Sequence, residues 1–349
     1  MPFPSRVPTT LLAALFGASL VATSARVVVA PLAVRSLLLD VQAVPGANGR
    51  LVAVGERGHV LVSTDGGTTW RQSRVPTRAT LTGVYFADVR NGWAVGHDEV
   101  ILRTTDGGAT WTRVRYEPDR EQPLLDVWFA DANVGLAVGA FATIYRTADG
   151  GATWEPAEFA PAPVAGAAAR ATPGTPDEDL DAMAEDEEVT EPHLNAVAAS
   201  STGKLYLAAE AGNLYRSDDA GATWTQLASP YEGSFFGVLP LDGDVVLAFG
   251  LRGHLFRSED AGASWTRLES GSESLLAGGA RLADGTIVIV GLAGTVLVST
   301  DGGRTFERRQ QPDRRGFAAA APGRAGAVLV GESGVRELSV AQLTGRAQS

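Results

Sequence analysis

The chain has 349 residues, and 29 Lys and Arg against 40 Asp and Glu leave a formal charge of −11. Such an acidic chain lacks the basic surface that general nucleic-acid binding needs, and the absence of cysteine excludes disulfides, thiolate nucleophiles, zinc–thiolate sites and a lipidated N-terminal Cys. Apolar residues at 45%, charged residues at 20% and 41 glycines exclude a disordered chain and favour a turn-rich all-β fold over a helix bundle.

The first element is an address. Arg6 precedes the apolar stretch Leu11–Ala22, which is shorter than the roughly 20 residues a membrane-spanning helix needs. Thr23, Ser24 and Ala25 are small enough for cleavage. Residues 1–25 are therefore expected to be a signal peptide, and the mature protein is expected in the periplasm or outside the cell.

The rest of the chain repeats. Ser63-Thr-Asp65-Gly-Gly-Thr-Thr-Trp70 recurs around Asp106 and Trp111, Asp149 and Trp154, Asp219 and Trp224, Asp260 and Trp265, and Asp301 and Phe306. The aspartates are spaced by 41, 43, 70, 41 and 41 residues. A period of about 40–45 residues is that of a propeller blade. The long step is one period plus an insertion. In the second unit, Leu81–Ala87, Trp93–Gly96, Val100–Thr104 and Thr110–Arg115 read as short strands between Gly, Asp and Asn turns. The octapeptide is expected to turn the third strand into the fourth. Its Asp would accept turn N–H bonds, and its Trp or Phe would enter the core between blades. A seventh unit has three strand patterns, Gly316–Ala321, Ala327–Gly331 and Val335–Val340, and no octapeptide. Arg26–Val34 is the best candidate for its fourth strand, because an open ring would leave two sheet edges unpaired. The prediction is one domain over 26–349, a seven-bladed β-propeller of four-stranded antiparallel blades closed by the mature N-terminal strand.

The insertion, 157–192, begins rich in Pro and Ala and continues with clustered acid, as a solvated tether does. Asp177, Asp179, Asp181 and Glu188 also fall at positions 1, 3, 5 and 12 of a calcium loop, but Ala182 stands where that loop needs glycine. No metal site is assigned beyond this weak candidate, and no cofactor is expected.

Up-and-down blades place the turns between second and third strands on one face together with the inter-blade loops, and the octapeptide turns on the other. The first face collects Glu56, Arg57, His59, His97, Asp98, Glu99, Glu210, Arg252, His254 and Glu332 from turns. Arg78, Arg120, His193, Tyr231, Glu232, Arg314 and Arg315 join from inter-blade loops. This puts polar chemistry around the channel mouth. His59 and His254 occupy matching places and read as turn-completing hydrogen-bonders as readily as ligands. The Tyr231–Phe236 run reads either as a recognition patch or as core filling. No catalytic residue is assigned.

The octapeptide matches the Asp-box, or bacterial neuraminidase repeat, and Leu81–Trp111 resembles the photosystem II stability/assembly factor family in the form found in non-photosynthetic bacteria. The resemblance implies a chaperone-like scaffold that binds membrane-protein subunits. The expected function is an exported, non-enzymatic, monomeric assembly factor. It would dock its polar face on a periplasmic part of a membrane-protein complex, with an export or lipid-transport system as client. The alternatives are a sialidase-like glycosidase, using paired carboxylates or Tyr231, and a glycan- or lipid-binding propeller.

Overall fold

Strands of two to six residues cannot stand alone in water, so the chain must gather them into sheets and stack the sheets. The computed structural model describes residues 30–164 and 191–345. It contains seven antiparallel sheets, each made of consecutive strands. The first blade comprises β1 (Leu38–Ala43), β2 (Leu51–Gly55), β3 (Val60–Ser63) and β4 (Arg71–Ser73). The inner strands of the later blades are β5 (Leu81–Phe86), β9 (Leu124–Phe129), β13 (Leu194–Ala199), β17 (Phe235–Pro240), β21 (Leu276–Arg281) and β25 (Phe317–Pro322). All seven inner strands shift register between their first and third residues, as at Leu38/Asp40 and Phe317/Ala319. A bulge there bends the strand and re-aims side chains toward the central channel.

Second strands are buried on both faces, and β2 is buried at all five positions. The core lies between blades. Val52, Val60 and Val62 of the first blade pack with Leu81, Val84, Phe86 and Trp111 of the second. Each octapeptide aromatic enters the core shared with the preceding blade: Trp154 with Trp93 and Phe129, Trp224 with Leu136 and Val138, Trp265 with Tyr206, and Phe306 with Leu247.

The seventh sheet departs from the others. Among the described residues it has three strands: β25, then Gly326–Gly331 and Gly334–Ser339. Of the segment expected to pair as its fourth, residues 26–29 lie outside the described residues, and Ala30–Val34 forms a turn leading into a 3-10 helix. Pro31 lacks the N–H a paired strand needs there. Among the described residues the ring closes by packing, with Leu38, Val41 and Leu51 against Ala321, Val328 and Val330. Where an octapeptide would follow, the chain makes a short helix, α1 (Val340–Thr344), fixed by reciprocal Ser339 and Gln342 capping bonds. Its Leu343 is fully buried in the core between sixth and seventh blades, the place that an octapeptide aromatic takes elsewhere. Arg309 secures the helix by donating to the Leu343 and Thr344 carbonyls.

The insertion starts as structure. Phe159 packs edge-on to Tyr215, and Ala162 pairs with the outer edge of the fourth blade through Trp224 O and Gln226 N. The calcium-loop candidates Asp177, Asp179, Asp181 and Glu188 lie outside the described residues, as does the expected signal peptide. No helix among the described residues is long and apolar enough to cross a membrane.

Candidate functional site

Both ends of the ring are made of tight turns, but the two kinds differ. At the octapeptide end, Asp65 Oδ1 accepts from Thr69 N (2.9 Å) and Ser63 Oγ (2.8 Å), and its Oδ2 accepts from Thr69 Oγ1 (2.6 Å). Ser63 Oγ in turn accepts from Gly67 N. The same bonds recur at Asp106, Asp149, Asp219, Asp260 and Asp301. Hydrogen bonds to the ionised form hold these carboxyls below their usual range, to about 2 at Asp65, Asp149 and Asp219. The aspartate of each turn is thus spent within the turn.

At the opposite end, two-residue hairpin turns join second and third strands, with both central residues left-handed. In the first blade they are Arg57 (φ 56°) and Gly58 (φ 69°). Arg252 and Gly253 repeat them, and a Cβ on Gly253 would lie 1.8 Å from the Ser272 carbonyl oxygen. The tip position varies: Arg57, Asp98, Phe141, Ala211, Arg252 and Ala293, all with positive φ. A non-glycine residue there costs about 1 kcal/mol or more. The ring therefore tolerates strain along one face to display different side chains.

The predicted residues form several local groups. In the first blade, Glu56 accepts from Leu37 N and Arg57 is exposed. His59 is buried beside Gln72 Nε2 at 3.1 Å, so it braces the outer strand rather than its own turn. Its pKa lies below the ordinary histidine value, chiefly through burial. In the second, Glu99 is left-handed (φ 46°) and fully buried. Its Oε2 accepts from Arg115 Nε and from Tyr145 Oη, each at 3.0 Å, and Arg120 lies 3.5 Å from Oε1. Glu99 thus ties the second blade to the third and is not presented on the surface. His193 Nδ1 sits 3.6 Å from Glu210 Oε1 and edge-on to Phe141, which is half exposed. Arg315 reaches Glu332 at 4.0 Å. Arg78, His97 and Glu232 project without a side-chain partner among the described residues.

Tyr231 packs against His254 (ring centroids 4.1 Å), Phe235 and Phe256, so its ring fills the core beside the fifth blade. Among the described residues the tyrosine hydroxyl that meets a carboxylate is that of Tyr145, only 3% exposed. Neither tyrosine offers a substrate a paired nucleophile and base. The histidines stand apart, and among the described residues no three His, Asp or Glu side chains gather to hold a metal ion.

A cleft of about 910 Å³ opens on this face between the fifth and sixth blades. Arg252, His254 and Arg314 line it, together with Arg267 and Arg308 from the outer strands. Sequence reading passed over these last two, which only the stacking of the blades brings to the same cleft. His254 Nδ1 is buried without a hydrogen-bond partner among the described residues. Burial, then the nearby Arg267 and Arg252 charges, lower its pKa below the ordinary histidine value.

The channel is narrow, about 250 Å³, and contains two acids that sequence reading also missed. Asp40 accepts from Val41 N and from Val84 N of the next blade, and Asp126 from Val127 N and from Val197 N of the next. Only the lumen reaches them, and no cationic side chain lines it. Desolvation raises Asp40 to about 6; desolvation and then the Asp40 charge raise Asp126 to about 7. The tetrapeptide Leu-Leu-Asp-Val, at 38–41 and again at 124–127, was the sign: an acid inside an otherwise apolar strand.

Residues 21–120 match the sequence family described as photosynthesis system II assembly factor YCF48. The chain is an Asp-box propeller resembling the photosystem II assembly-factor family. Among solved structures, YCF48 from Cyanidioschyzon merolae is 19% identical with a TM-score of 0.64, over 89% of this chain and 97% of that one. A YCF48 bound to D1 peptide is 16% identical with a TM-score of 0.63, over 86% and 90%. Streptogramin B lyase is 12% identical with a TM-score of 0.65, over 86% and 92%. At such identities the likeness is one of fold. No curated protein matches the chain in sequence. The assembly-factor match contains Glu56, Arg57, His59, Arg78, His97, Asp98, Glu99 and Arg120, whereas the arginine cleft lies beyond it.

Proposed function

We propose that this propeller is an exported, non-enzymatic assembly factor. It docks the face opposite its Asp boxes onto an extramembrane segment of a membrane-protein complex in the periplasm, and an export or lipid-transport system is the client class. The observation that carries the reading is the varied set of left-handed turn tips on that face. Arg57, Asp98, Phe141 and Arg252 are displayed at a conformational cost that glycine would avoid. Exposed Tyr116, Phe141 and Leu292 add apolar anchors among the arginines, the composition of a protein-binding surface. A propeller of similar fold, YCF48, has been seen with a D1 peptide. The scaffold reading is also favoured over a sialidase-type mechanism by the core position of Tyr231 and the buried Tyr145–Glu99 pair, which present no tyrosine nucleophile.

Photo-crosslinking in the native host tests this. Probes at Arg57 and Phe141 should capture a membrane protein, and a probe at Thr68 on the Asp-box face should not. Equal capture from both faces, or none from the first in cells containing the protein, sinks the docking assignment. Replacing Arg57, Arg252, Arg314 and Arg315 with Ser should weaken partner recovery without unfolding the ring.

A further inference from the structure

The cleft between the fifth and sixth blades has a charge balance of its own. Four arginines, Arg252, Arg267, Arg308 and Arg314, face two carboxylates, Glu269 and Glu273, a net of two positive charges. None of the four arginines has a carboxylate partner within 4.0 Å among the described residues. Four guanidinium forks offer more donors than one carboxylate can accept, and two uncompensated charges match a dianion. The loop wall is held in shape: Ser270 Oγ bonds the Ser272 backbone, and Ser272 Oγ meets Thr295 Oγ1 at 3.3 Å.

We propose that this cleft binds a phosphate group carrying two negative charges, as inorganic phosphate or as the monoester headgroup of a lipid. The guanidinium groups take the phosphate oxygens in bidentate pairs, and the open side of the cleft leaves room for whatever the phosphate is attached to. Arg252 and Arg314 belong to both this site and the partner-docking reading, whereas Arg267 and Arg308 belong to the cleft alone, so variants of these two separate the readings.

The test uses the full mature chain. Binding of inorganic phosphate is followed by calorimetry, and co-sedimentation is measured with phosphatidylcholine vesicles with and without phosphatidic acid. The variants are Arg267→Gln with Arg308→Gln, both exposed and without structural partners, and Arg57→Ser as a control. Phosphate binding that falls at least tenfold in the double variant, with unchanged melting temperature and an unaffected control, is the expected result. Sedimentation that requires phosphatidic acid and is lost in the double variant identifies the lipid as the source; phosphate binding without sedimentation identifies a soluble ligand. No phosphate binding at millimolar concentration, an undiminished double variant, or equal binding of acetate or an acidic peptide overturns the proposal.

Discussion

The two ends of the ring follow opposite rules. At the Asp-box end one turn is used six times with the same bonds, its carboxylate accepting from the Ser or Thr four residues on each time. At the other end the backbone turn recurs from blade to blade, but the residue at its tip changes from Arg to Asp to Phe to Ala. Repetition of a self-satisfied turn reports stability. Repetition of a strained turn with changing side chains is what the proposed docking face would require.

The comparison is broken most severely from the repetitive end. Trp111 is 7% exposed in the core of the first two blades. Trp111→Ala should cost about 3–5 kcal/mol in denaturant unfolding. Leu343→Ala should cost about 2–5 kcal/mol if α1 stands in for the missing Asp box. A cost under about 1 kcal/mol for Leu343 would mean that the helix merely covers the seventh blade.

A smaller loss is expected at an Asp-box carboxylate. Asp106→Ala removes the acceptor for Thr110 N, Thr110 Oγ1 and Thr104 Oγ1. The expected cost is about 1–3 kcal/mol, with crosslinking from Phe141 unchanged in the folded protein. A loss of crosslinking at full folding would show that the two ends are coupled.

Acid separates two populations of aspartate. Those of the Asp boxes have depressed pKa values, so the stability they contribute is complete above the ordinary aspartate value of 3.8 and is lost as pH falls toward about 2. Asp40 and Asp126 have the opposite shift. The folded state holds their protons more tightly than the unfolded chain, so their contribution declines as pH rises from 3.8 toward about 7. Melting temperature should therefore peak in mild acid and fall on both sides. Asp126→Asn should flatten the neutral side and leave the acid side intact; an unaltered neutral limb would assign that decline to other groups.

The fold was legible because propeller blades repeat, and six octapeptides mark their positions directly. The same logic explains where reading failed. Nothing in the seventh unit repeats an Asp box, so α1 had no pattern to match, and Pro31 outweighed the apolar run that suggested a closing strand. The site was legible as a face but not as a set of contacts. Glu99 and Arg57 sit in equivalent turns, yet the first is buried on Arg115 and the second is in solvent, a difference set by neighbouring blades. Arg267 and Arg308 lie on exposed strands 41 residues apart, and only stacking of the blades brings them to one cleft.

The subtlest way to sharpen the contrast is to relieve the strain at a turn tip. Arg252 is held at φ 55°, a conformation that glycine adopts freely. Its side chain makes no ion pair among the described residues. Arg252→Gly should leave stability unchanged or raise it by up to about 1 kcal/mol, the left-handed penalty removed less the added freedom of the unfolded chain. Partner recovery should fall in the same variant. If stability instead drops by more than about 1 kcal/mol, Arg252 holds the turn together and its left-handed conformation is no sign of recognition. The sign of that change separates a residue kept for display from one kept for the fold.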